Sequence, residues 1–115
     1  MSHSPKILEC MDGVKCGIKM VEIGDWNMDS TTSKNVAHGL AVSDIVAVTA
    51  YIRNDDNDEI FNIAGKDSSN LAAQIDCVDS TNVCLSRMPG QFFDSNDFDA
   101  TSYNRGFIRI YHRLG

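Results

Sequence analysis

The side chains able to do chemistry in this chain are scattered. Three histidines, His3, His38 and His112, occur alongside many serines and aspartates, the raw material of a nucleophilic triad. A triad requires nucleophile, base and orienting acid within hydrogen-bond reach of one another. The strand-to-helix elbow G-x-S-x-G is absent, and the histidines stand in unrelated contexts, so random co-occurrence is the better account. His38, just before Gly39, is expected to satisfy a turn or an interface hydrogen bond. No GxxxxGK[ST] or GxGxxG loop is present to cradle a phosphate. Glycoside hydrolysis needs two carboxylates in a shared cleft, whereas the aspartates here lie in turn-like polar runs. The chain is therefore expected not to be an enzyme and to need no cofactor.

Two acidic segments, 55–59 and 94–99, invite a calcium reading. The run from Asp94 starts like an EF-hand loop. It then puts Phe98 at the third ligand position and Asp99 where glycine is required. Solvated turns are the expected state, with no metal site. The four cysteines, Cys10, Cys16, Cys77 and Cys84, match no zinc spacing. Cys77 and Cys84 flank the tetrad Asp79-Ser-Thr-Asn82. A hairpin there sets them across from each other, where mild oxidation could join them. Two buried free thiols are the expected resting state, because free cysteine packs as a small apolar residue.

Trp26 is the single tryptophan, between Asp25 and Asn27. An aromatic face with a carboxylate and an amide suits a sugar, so Asp25, Trp26 and Asn27 form a candidate ligand site. The competing reading makes Trp26 a plug over the core and gives Asp25 and Asn27 backbone partners; it is the simpler one.

These residues must be held by strands. Ile45–Arg53 has the clearest period of two. Val46, Val48, Ala50 and Ile52 share one apolar face. Ile45, Ala47, Thr49, Tyr51 and Arg53 share the other. The last strand, Phe107–Arg113, turns Ile108 and Ile110 to the core and Phe107, Arg109, Tyr111 and Arg113 away from it. Shorter strand-like runs occur at 13–24, 35–39, 59–64, 71–77 and 83–85, separated by turn signals. The loop 91–105 carries embedded aromatics, and such loops are functional or self-packed. Gly106 is expected to take a φ that other residues resist. No segment sustains a helical period. The expected fold is all-β, an antiparallel sandwich of about six to eight short strands. Residues 1–19 are expected to be an N-terminal arm or attachment segment, and 20–115 the sandwich domain.

With 115 residues, 43% hydrophobic and 23% charged, the chain suits one globular domain. A net charge of −6 opposes binding to nucleic acid or anionic lipid. No apolar run reaches the length of a membrane span, and the N-terminus resembles no secretory signal. The protein is expected to act without Sec export, though it could leave the cell in an assembled particle.

Several motifs carry a resemblance: Ile23-Gly-Asp-Trp-Asn-Met-Asp29, Val36-Ala-His-Gly-Leu40, Ile52-Arg-Asn-Asp55, Asp79-Ser-Thr-Asn82 and the stretch from Phe92 to Gly106. In this order, over roughly residues 20–113, they resemble a small β-module of tailed-phage virion proteins, especially tail-fibre, head-fibre and other receptor-binding proteins. The strand layout is similar to that of the H-type lectins, trimeric sandwiches that bind amino sugars. The resemblance implies a virion structural or adhesion role and a location in the virion after assembly in the host cytoplasm. It carries no catalytic motif. The alternative is a carbohydrate-binding module that recognises host glycans. Tyr51, Arg53, Phe107, Arg109 and Tyr111 are costly to leave in water, and Tyr and Arg are enriched at interfaces. They are expected to line the contact of a homotrimer, with other virion proteins bound through the arm.

Overall fold

A computed structural model of the chain describes residues 8–11, 13–63 and 72–114, and of residues 8–11 the backbone alone. Eight strands are described: β1 (Leu8–Met11), β2 (Val14–Glu22), β3 (Ser33–Ala37), β4 (Ile45–Arg53), β5 (Ile60–Asn62), β6 (Ala73–Val78), β7 (Asn82–Arg87) and β8 (Gly106–Arg113). They form a five-stranded sheet, β1-β2-β8-β4-β5, and a three-stranded sheet, β3-β7-β6. Every pairing is antiparallel. Helical structure among the described residues is confined to 3-10 turns at Val42–Asp44 and Asn96–Phe98. The protein is an all-β sandwich, as the period-two runs require.

The two most regular strands of the sequence are neighbours at the centre of the large sheet. β8 pairs with β4 from Ile45↔His112 to Ile52↔Gly106, and with β2 from Cys16↔Arg113 to Glu22↔Phe107. Strand alternation then sends Ala50 and Ile52, with Ile108 and Ile110, into the core. Val36, Val83 and Leu85 meet them from the small sheet, and Ile23, Trp26, Met28, Phe93 and Phe98 close the core from the loops. Gly106 opens β8 for a reason other than φ, because its backbone is not in the left-handed region. A Cβ there would run into the Tyr51 carbonyl, so only glycine lets β8 approach β4 this closely.

Other expectations are altered. The boundary placed at residue 19 falls inside β2, which is hydrogen-bonded to β8 along most of its length. Residues 14–19 are thus part of the sheet rather than an arm. Residues 1–7, the loop at 65–70 and Leu71 lie outside the described residues. Cys77 and Cys84 are not free buried thiols: they are cross-strand partners joined by a disulfide, with Cα atoms 5.1 Å apart. The reason is alternation. Val83 and Leu85 take the core, so Cys84 between them faces out, and a register shift between Ile75 and Cys77 keeps Cys77 beside it. Cys16 is disulfide-bonded as well.

Candidate functional site

The loop 91–105 packs on itself and on β5. Phe61, Phe92, Phe93 and Phe98 form a cluster of edge-to-face rings, with centroids 4.9 to 6.0 Å apart. Such contacts add roughly 0.5–1.5 kcal/mol per pair beyond area burial. The loop is tied down by Arg105, which is wholly buried. Its guanidinium donates to the carbonyls of Trp26, Arg53 and Ala100, and pairs with Asp55 at 2.9 Å. It also lies over the rings of Tyr103 and Phe98, 5.0 and 5.8 Å from their centroids.

Asp55 in turn accepts from the Asp99 and Ala100 backbone amides. Partial burial pushes the Asp55 carboxyl up, but the Ala100 amide, Arg105 and the Asp99 amide together hold it below the usual aspartate value. Asp99 is pushed the other way, first by its hydrogen bond to Asp55. A second buried arginine, Arg87, donates to the carbonyls of Met28 and Asp29 and pairs with Asp94. Asp94 also accepts from the Gly90 amide. Asp55 and Asp94 of the two acidic segments therefore serve internal contacts.

On the opposite face of the large sheet, away from the core, the register lays side chains in rows. Ile18, Tyr111 and Ala47 form one row across β2, β8 and β4. Met20, Arg109 and Thr49 form the next, and Glu22, Phe107, Tyr51 and Asn62 the third. Arg53 and Ile60 complete the set. The five residues expected to share a patch, Tyr51, Arg53, Phe107, Arg109 and Tyr111, do share one. The sequence reading omitted its β2 and β5 side. Ile18, Met20 and Ile60 are 39%, 52% and 68% exposed there.

The arginines of this face lie over aromatic rings. Arg53 is 5.2 Å from the Tyr103 centroid and 5.7 Å from that of Phe107, and Arg109 is 5.9 Å from that of Tyr111. Arg53 also donates to Asn57 and to the Asn104 carbonyl. Yet Thr49 Oγ1, Arg53 Nε and Arg109 Nε are buried without a hydrogen-bond partner. Buried polar atoms are normally satisfied, because leaving one unpaired costs about 1–3 kcal/mol. All three unpaired atoms belong to residues of the same face.

Comparison with protein-family models, with curated proteins and with solved structures finds no match.

The candidate sugar site at Asp25, Trp26 and Asn27 requires a correction. Trp26 is 2% exposed and its indole N–H donates to the Thr31 carbonyl. It packs as core, so it presents no ring face on which a sugar could stack. Asn27 Oδ1 accepts from the Asp29 and Ser30 amides, which folds the loop back on itself. Asp25 bridges to Asn104 through the backbone. The three residues still border a polar groove of about 370 Å³, with Ser30, Ser33, Lys34 and Thr101.

His38 is buried and fully used. Its Nδ1 accepts from the Leu40 amide, which leaves Nε2 protonated to donate to the Asp79 carbonyl at 2.8 Å. Arg105, Asp55 and Arg87 were missed as organising residues. Nothing periodic marks an arginine in a loop, and a buried guanidinium is recognisable only once the carbonyls around it converge. The one available signal was an arginine, next to Gly106, at the end of a loop with four aromatics that is too long to be a simple turn.

Proposed function

We propose that this protein is a phage virion structural protein, a fibre, decoration or receptor-binding module, that assembles as a homotrimer through the outer face of its five-stranded sheet. The observation that carries the proposal is that face. It combines exposed Ile18, Met20 and Ile60, half-buried Tyr51, Phe107 and Tyr111, and unpaired donors on Arg53 and Arg109. Interfaces favour this chemistry: an apolar and aromatic centre with arginine. The face also suits a second copy in charge. Glu22 is exposed at its β2 side and the arginines lie on β4 and β8, so a cyclic arrangement sets the acid of one protomer against the bases of the next. The motif order described above supports the virion role.

Sedimentation tests the assembly. The wild-type protein should run as a trimer at micromolar concentration, and Tyr51→Ala with Arg109→Ala should run as folded monomer. A wild-type monomer, or a trimer that survives the double substitution, would assign this face to another partner. The alternative reading, a lectin-like module for host glycans, has the polar groove beside Asp25 and Asn27 in its favour. Binding on a glycan array that Lys34→Ala and Asn27→Ala remove would establish it.

A further inference from the structure

On the other sheet, the hairpin of β6 and β7 brings Cys77, Asp79 and Cys84 together. Their ligand atoms all lie within 4.8 Å of one another, the one such grouping of potential metal ligands among the described residues. Cys77 and Asp79 are exposed and Cys84 is half-buried. We propose that, when its disulfide is reduced, this hairpin is a binding site for a thiophilic divalent cation such as Zn²⁺, with two sulfurs and one carboxylate oxygen from the protein.

Asp79 is built as a fixed ligand. Its Oδ1 accepts from the amides of Thr81 and Asn82, at 2.9 and 2.6 Å, which closes the turn. Its backbone is pinned on both sides: the amide donates to the Asn82 carbonyl, and the carbonyl accepts from the buried His38. The second oxygen, Oδ2, has a different neighbour, Cys84 Sγ at 3.8 Å. One oxygen thus holds the turn and the other faces the sulfurs.

The sulfurs fit the metal's demand. Two Zn–S bonds of about 2.3 Å in a tetrahedron set the sulfurs roughly 3.8 Å apart. Cross-strand residues with Cα atoms 5.1 Å apart reach that separation by side-chain rotation alone. Water fills the fourth position. The balance is simple. A dithiol reductant gives two electrons and two protons to the Cys77–Cys84 bond and itself becomes a disulfide. The metal then displaces one proton from each thiol as two metal–sulfur bonds form. In a thiol-reducing compartment the hairpin takes the cation, and in an oxidising one the disulfide replaces it. The site lies on the sheet opposite the assembly face, so its test does not depend on the oligomer.

The experiment uses the full chain with Co²⁺ as spectroscopic probe and Zn²⁺ as competitor. Dithiothreitol-reduced wild-type protein should develop a sulfur-to-cobalt charge-transfer band at one equivalent, and Zn²⁺ should bleach it. Oxidised protein should show no band. Cys77→Ser with Cys84→Ser, checked for folding by circular dichroism, should lose the band. Asp79→Asn, which keeps an oxygen to close the turn, should weaken affinity about tenfold or more. Three results overturn the proposal: no band in reduced wild type, a band that persists in the double serine variant, or an affinity unchanged in Asp79→Asn.

Discussion

Arg105 and Arg109 are four residues apart in one segment, and the chain treats them oppositely. Arg105 is wholly buried and saturated, with three carbonyls and the Asp55 carboxylate around its guanidinium. Arg109 lies on the outer sheet face with its guanidinium near Tyr111 and its Nε buried without a partner. Both give up hydration; one of them recovers it within the chain. Removing one partner of a buried, hydrogen-bonded pair leaves an uncompensated charge. The difference separates a residue that holds this chain together from one that, under the proposed assembly, meets a neighbouring copy.

The largest expected effect lies at the saturated arginine. Arg105→Ala removes the donors to Trp26, Arg53 and Ala100 and leaves Asp55 without its cation. The loss should be about 3–5 kcal/mol, read as the shift of a urea unfolding midpoint. Arg109→Ala should change the stability of the isolated protomer by about 1 kcal/mol or less and act on association instead. Equal losses from the two substitutions would abolish the distinction between them.

A smaller effect follows from pH. The Asp55 carboxyl is held below its usual value, so ionised Asp55 stabilises the fold. That contribution is fully present above the value of the unfolded chain and is lost as pH falls through the folded one. Asp99 is raised, chiefly by its hydrogen bond to Asp55, and has the opposite sign. Its contribution exists only at low pH and disappears as pH rises through its folded value. Asp99 is exposed and Asp55 carries the Arg105 pair, so Asp55 should dominate. Asp55→Asn should flatten the acid limb of the stability curve and lower the neutral plateau. An acid limb as steep as wild type would assign acid sensitivity to other carboxylates.

The same comparison explains what could be read from the sequence. β4 and β8 were legible because strand alternation is a period of two, and their outer residues fell on one face because adjacent antiparallel strands put opposed residues on the same side. Ile18 and Met20 were missed because the strand-like run 13–24 carries no local sign of which strand it pairs with, yet it is the other neighbour of β8. Arg105 was illegible for another reason. Its partners come from residues 26, 53, 55 and 100, and no local pattern announces such a convergence. Trp26 was ambiguous by nature. Asp-Trp-Asn reads as a loop plug, the simpler reading, or as a sugar site, and burial of the indole decides for the plug. The cysteine pair turned on facing, because Val83 and Leu85 claimed the core and left Cys84 outside.

The smallest expected effect is the most discriminating. Thr49 lies beside Arg109 on the outer face, and its Oγ1 is buried without a hydrogen-bond partner. In an isolated protomer that hydroxyl gives nothing back for its lost hydration. Thr49→Val keeps the β-branched shape that suits the strand and removes the unsatisfied group. The folded monomer should therefore be equally stable or gain up to about 1 kcal/mol, read by urea unfolding in the Tyr51→Ala, Arg109→Ala background. In the proposed trimer the same change removes a group that a neighbouring copy satisfies. Association should then weaken by roughly fivefold, the equivalent of about 1 kcal/mol for one hydrogen bond. Opposite signs in the two backgrounds are the signature of a polar atom completed across an interface. A destabilised monomer would instead mean that the Thr49 hydroxyl is satisfied within the chain, and the outer face would lose one of its three unpaired groups.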